Sequence, residues 1–103
     1  MRITWTELSV EKLEDIADYI SIDNQASAKK WVSNIQKSVV KLKDFPELGR
    51  VVPEIGRKDI RELIERNYRV IYKRKESEII ILTVRNFSQL LSENDIYKTS
   101  KLT

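Results

Sequence analysis

The chain contains no cysteine and no histidine. The first absence removes disulfides, thiolate ligands and thiol nucleophiles together. The second removes the commonest metal ligand and the commonest general base near neutral pH. No zinc site is expected, and no acidic cluster has a spacing suggestive of magnesium. The expected cofactor and metal content is therefore none. Glycine and proline are scarce, two of each, and all four lie in the stretch FPELGRVVPEIGRK from Phe45 to Lys58. No apolar run approaches the roughly 20 residues of a membrane span. The opening residues, MRITWTELS, lack the apolar segment of a signal peptide. Together with the missing cysteine, this points to the cytoplasm.

What is present is a short, highly charged chain. A length of 103 residues favours one domain with one modest core. We read residues 1–103 as that domain, with 86–103 a polar tail that is flexible or forms a short helix. Net charge is +3. Residues 1–49 carry seven basic and eight acidic side chains, whereas 50–75 carry nine and four. Such a segment suits a polyanion or an acidic protein partner. The plainer alternative is a solvated basic face.

Periodicity gives the elements. RITWT alternates and reads as a short strand. In TELSVEKLEDIADYISID, residues Val10, Leu13, Ile16, Ala17 and Ile20 recur at helical spacing, with Thr6 or Ser9 placed to cap the start. After Asp23-Asn24, a second helix through QASAKKWVSNIQKSVVKLKDF carries the stripe Ala28, Trp31, Ile35, Val39 and Leu42, until Pro46 stops it. The two form an antiparallel hairpin. The glycine- and proline-bearing stretch is a loop. Ile60–Arg66, Tyr68–Arg74 and Glu78–Arg85 are β-prone runs that should form an antiparallel meander. The expected class is α+β, with an N-terminal strand and a helical hairpin packed on a twisted antiparallel sheet.

Side-chain alternation assigns faces once the turns are placed. With turns near Asn67 and Glu76, Arg61, Leu63, Glu65, Arg69, Ile71, Lys73 and Arg85 share one face. Ile60, Ile64, Tyr68, Val70, Tyr72, Ile80, Leu82 and Val84 share the other, which should pack on the helices. The arginine face would then be partly wet, because burying an unpaired guanidinium is costly. Several guanidinium forks on one surface can grip phosphate. Arg50, Arg57, Lys58, Arg61, Arg69, Lys73 and Arg85 are the candidate residues for binding a nucleic acid or an acidic protein partner. Pairing with Asp59, Glu62 and Glu65 is the structural alternative.

The ordered set of segments resembles the RelE/ParE toxins of bacterial type II toxin–antitoxin systems over nearly the whole chain. Trp5 with LEDIADYI resembles the family opening, and LKDFPELGRVVPE its helix end and loop. IREL, YRVIY and IIILTVRN resemble its three C-terminal strands. The resemblance implies a helical hairpin on a twisted antiparallel sheet, and an antitoxin whose C-terminal segment wraps the toxin. It also implies one of two targets. RelE-like and YoeB-like members cut messenger RNA at the ribosome, whereas ParE members inhibit DNA gyrase by binding. For cleavage, Glu54 resembles the carboxylate base and Arg69 the arginine on the scissile phosphate. Arg61 and Arg85 would assist, and Tyr97 is a further candidate acid. Asn86 stands where the family often has histidine, and Gln89 where a further basic residue commonly follows. Neither supplies a proton or a charge as those groups do. The reading is therefore a toxin that acts by binding, on gyrase. An mRNA endoribonuclease without a metal is the alternative, and a non-toxic basic nucleic-acid-binding module is the third.

Overall fold

A computed structural model describes residues 1–96. Strand β1 (Arg2–Trp5) leads into helix α1 (Glu7–Asp23) and helix α2 (Gln25–Val40), which a single 3-10 turn, Lys41–Lys43, extends. Strands β2 (Arg50–Val51), β3 (Ile60–Glu65), β4 (Tyr68–Arg74) and β5 (Glu78–Asn86) follow. A helical turn occupies 93–96.

Local chemistry fixes both helix starts. The Thr6 hydroxyl accepts from Ser9 N at 3.0 Å, capping α1, and donates to Leu82 O at 3.1 Å, which ties that cap to β5. Asn24 is the whole linker between the helices. Its N–H reaches Ile20 O and closes α1, while its side chain accepts from Ser27 N and opens α2.

The five strands form one sheet in the order β1-β5-β4-β3-β2. The expected α+β class and antiparallel meander are present, and the sheet as a whole is mixed. Strands β2 to β5 are antiparallel, but β1 runs parallel to β5. The helical hairpin carries the chain from β1 to β2 at the opposite edge, and the antiparallel strands then step back across the sheet until β5 lies beside β1. Within the expected loop, β2 pairs with β3 at the opposite edge.

The register differs from the expected one by a residue, which changes the faces. β3 ends at Glu65, opposite Tyr68, so the turn is the two-residue Arg66-Asn67, with Arg66 at φ 54°. A tight hairpin asks for this left-handed conformation, and arginine takes it here in place of glycine. Arg61 now lies opposite Tyr72, and Ile64 opposite Arg69. Arg61 and Arg69 therefore fall on opposite faces. The β4–β5 register shifts between Ile71 and Tyr72, leaving Leu82 as the extra residue of a bulge. Past it, Ile80 and Leu82 face away from Val84.

Both sheet faces are covered. On the helix side, Trp31, Ile35, Val39 and Leu42 pack on Leu63, Val70, Tyr72, Ile79, Ile81 and Val84. Trp31 meets Tyr68 edge-on, with ring centroids 5.1 Å apart. On the far side, Ile60, Ile71, Ile80 and Leu82 form a second core with Val52, Leu91 and Ile96. The expected wet, arginine-lined face is largely an apolar layer under the β2–β3 connection and the C-terminal segment. Burial on both sides explains why EIIILTV reads as a nearly continuous apolar run.

Gly49 is required by close approach. A β-carbon there would stand 2.6 Å from Glu62 O and 2.7 Å from the Tyr72 ring. The Tyr72 hydroxyl accepts from Gly49 N at 3.0 Å and donates to Pro46 O at 2.9 Å. One buried phenol thus holds the chain between α2 and β2.

Candidate functional site

The far face carries a row of alternating charges, Arg50, Glu62, Arg69 and Glu54. Strand pairing brings them together, since Arg50 lies opposite Glu62, and Glu62 and Arg69 share the far face of adjacent strands. Arg50 Nε donates to Glu62 Oε2 at 2.6 Å, and Arg69 Nε donates to Glu62 Oε1 at 2.5 Å. Arg69 Nη1 and Nη2 then hold both oxygens of Glu54, at 2.6 and 2.9 Å. The side chains of Glu62 and Arg69 are 0% and 3% exposed, against 55% for Arg50. The centre of the row is inside the protein and its ends reach solvent.

The row also fastens the C-terminal segment. Arg69 Nη1 donates to Gln89 O at 2.8 Å, and Leu91 N donates to Glu54 Oε2 at 3.1 Å. Arg85, beside Arg69 on β5, donates to Leu90 O and pairs with Asp95 at 3.5 Å. Arg57 pairs with Asp59 and reaches Glu93. A strap over 89–95 is therefore held at several points above the second core.

The electrostatics follow from these partners. Hydrogen bonding from Arg69 pulls the Glu54 carboxyl down to about 2, against some opposition from burial. Burial works against the Arg69 charge, but its bonds to Glu54 and Glu62 outweigh it and raise the pKa. Four of the roughly five N–H groups of a guanidinium are engaged in Arg69. A carboxylate ionised down to such a low pH has little affinity for a proton and makes a poor general base near neutrality.

The remaining sequence candidates scatter. Arg61 lies on the helix side and donates to Lys58 O and Gly49 O, both carbonyls. Lys58 is exposed in the β2–β3 connection, and Lys73 is half-buried on the far face opposite Ile60. Asn86 and Gln89 build a turn, in which Asn86 N donates to Gln89 Oε1 and Asn86 Oδ1 accepts from Ser88. Tyr97 lies outside the described residues. Glu54 and Arg69 meet, Arg85 stands beside them, and Arg61 does not join. Glu62, the centre of the row, is the residue that sequence reasoning treated only as a generic salt-bridge partner. Its signal was a carboxylate at an inner position of β3, between Ile60 and Ile64 on the same strand face. Among the described residues no group of acidic side chains could hold a metal ion, and no helix is long and apolar enough to cross a membrane.

Comparison with known proteins agrees with this architecture. No curated protein matches the chain. A solved structure, the chromosomal ParDE toxin–antitoxin system from P. aeruginosa, superposes with a TM-score of 0.69 at 27% identity. The match covers 84% of this chain and 95% of that one. The family model described as the ParE toxin of the type II toxin–antitoxin system parDE matches residues 3–91. With most of its length matched, the chain belongs to the ParE toxin family of type II toxin–antitoxin systems.

Proposed function

We propose that this toxin arrests growth by binding its target rather than by cutting RNA, and that the target is DNA gyrase. The observation that carries this reading is the bidentate Glu54–Arg69 pair. Cleavage would need Glu54 to accept a proton from a ribose hydroxyl and Arg69 to receive a phosphate. Each is committed to the other, Arg69 is buried, and Glu62 holds its remaining side. Asn86 and Gln89, at the positions where the family often carries a proton donor and a further charge, shape a turn instead. A toxin that works through its surface needs none of these groups to be free.

The proposed regulator is a cognate antitoxin, as in the P. aeruginosa ParDE system to which the chain is similar. An extended segment can add to the free side of β1, which lies at a sheet edge. The test is induction in growing cells, with transcript ends and DNA-damage signalling followed together. The reading expects damage signalling with intact transcripts. New in-frame cuts at ribosome-bound messages, without damage signalling, would overturn it.

A further inference from the structure

The turn after α2 carries two exposed apolar side chains, Phe45 and Leu48, with exposed Val40 at the helix end just before it. Beside them lies a shallow cleft of about 470 Å³, lined by Asp44, Phe45, Pro46, Glu47, Leu48 and Arg74. Arg74 ends β4 on the helix side, two residues after Tyr72, whose hydroxyl holds Pro46 and Gly49. Its Nε is buried without a hydrogen-bond partner among the described residues. Asp44 and Glu47 line the same cleft, yet neither forms an ion pair with Arg74 among the described residues. On the other flank of the turn, the hydrogen bonds that Arg61 donates among the described residues go to two carbonyls. Lys43 and Lys75 add exposed positive charge nearby. Two guanidinium groups with no carboxylate partner among the described residues therefore flank a turn that carries both the exposed apolar pair and the acidic Asp44 and Glu47. Arg74 as a whole is half-buried and lines the cleft, so a carboxylate entering there can pair with its guanidinium.

We propose that this turn, with Arg74 and Arg61, is the surface by which the toxin grips its target. The occupant is a protein segment that presents a carboxylate beside an aliphatic or aromatic side chain. The carboxylate pairs with Arg74, with Arg61 adding attraction from the far flank, and the apolar side chain packs between Phe45 and Leu48. Aromatic and arginine anchors of this kind carry most of the energy in protein interfaces. The proposal rests on the reading that the toxin acts by binding. It places that action on the helix side of the sheet, away from the Glu54–Arg69 row.

The test measures the affinity of purified DNA gyrase and of the purified cognate antitoxin for the wild-type toxin and three variants. These are Arg74→Glu, the double variant Phe45→Ser/Leu48→Ser, and Lys12→Glu on the exposed side of α1. Circular dichroism and thermal melting check that each variant folds. The expected result is a loss of at least about tenfold in gyrase affinity for the first two. Lys12→Glu should stay within about twofold, because it changes net charge without touching the surface. Antitoxin affinity should hold for all three. Gyrase affinity unchanged in Arg74→Glu and in the double variant would overturn the surface while leaving the binding mode intact. Loss of antitoxin affinity alone would overturn it by assigning the turn to the antitoxin. A wild-type toxin that does not bind gyrase would overturn the proposed target together with this surface.

Discussion

Arg69 and Glu54 meet fork to fork, with Nη1 on Oε2 at 2.6 Å and Nη2 on Oε1 at 2.9 Å. The pair joins β4 to the β2–β3 connection, and through Gln89 O and Leu91 N it joins both to the C-terminal strap. Each member satisfies the other, so the pair acts as a clasp. The positions that resemble a catalytic base and a phosphate ligand are bonded to each other, which is why we propose them as scaffold.

The centre of the clasp is Glu62, with its side chain fully buried between Arg50 and Arg69. Replacing it by alanine leaves a buried guanidinium with one face unpaired. Removing one partner of a buried ion pair costs about 3–5 kcal/mol. Urea unfolding of Glu62→Ala should show that loss. The exposed Glu76→Ala should fall within about 0.5 kcal/mol of wild type.

The pH dependence of stability has a definite sign. The Glu54 pKa lies at about 2 in the folded chain, below its ordinary value of 4.5. A depressed carboxylate contributes stability that is complete above its unfolded pKa and is lost as pH falls through the folded one. The contribution should thus be intact at pH 6 and fade between about 4.5 and 2. The urea midpoint measured across that range should fall more steeply in wild type than in Glu54→Gln, which has no such proton to bind. Parallel curves would contradict the assignment.

The α2–β2 passage makes a steric and a polar prediction. Gly49→Ala drives a β-carbon to within 2.6 Å of Glu62 O, a backbone atom that cannot swing aside. Overpacking of that kind costs about 1–3 kcal/mol. Tyr72→Phe orphans the Gly49 N–H and the Pro46 carbonyl, and a buried polar group left unpaired costs about 1–3 kcal/mol. The two sites touch, so the double variant should lose less than the sum of the singles. Thermal or urea unfolding of the three variants measures this.

The helical half was legible in the sequence because its signal is local. The stripes of Leu13, Ile16 and Ile20 and of Trp31, Ile35 and Val39 repeat at the helical period, Thr6 or Ser9 stood ready to cap the first helix, and Asp23-Asn24 marked the break before the second. The sheet faces were not legible, because two local events reset the alternation. Arg66 adopts a left-handed conformation that usually signals itself through glycine or asparagine. Leu82 forms a bulge inside an apolar run, where nothing in the alternation marks it. Each moves side chains to the opposite face, so Arg61 and Arg69 parted and the expected cationic surface became a second core. The family resemblance singled out Glu54 and Arg69 separately, as a base and a phosphate ligand, and did not announce that they pair with each other. That Glu62 completes the clasp depends on strand pairing, which residue spacing alone does not encode. The Arg74 cleft joins a turn to a distant strand end, and no motif announced it.

The central claim is that the Glu54–Arg69 pair is scaffold and that the toxin acts by binding. The most direct measurement is DNA supercoiling by purified gyrase, titrated with wild-type toxin and with Glu54→Gln, each confirmed folded. The account predicts that both block supercoiling, at concentrations within about threefold of each other, since a neutral amide of the same shape keeps the surface intact. Supercoiling untouched by the wild type, with ribosome-bound messages cut by it and spared by Glu54→Gln, would contradict the account.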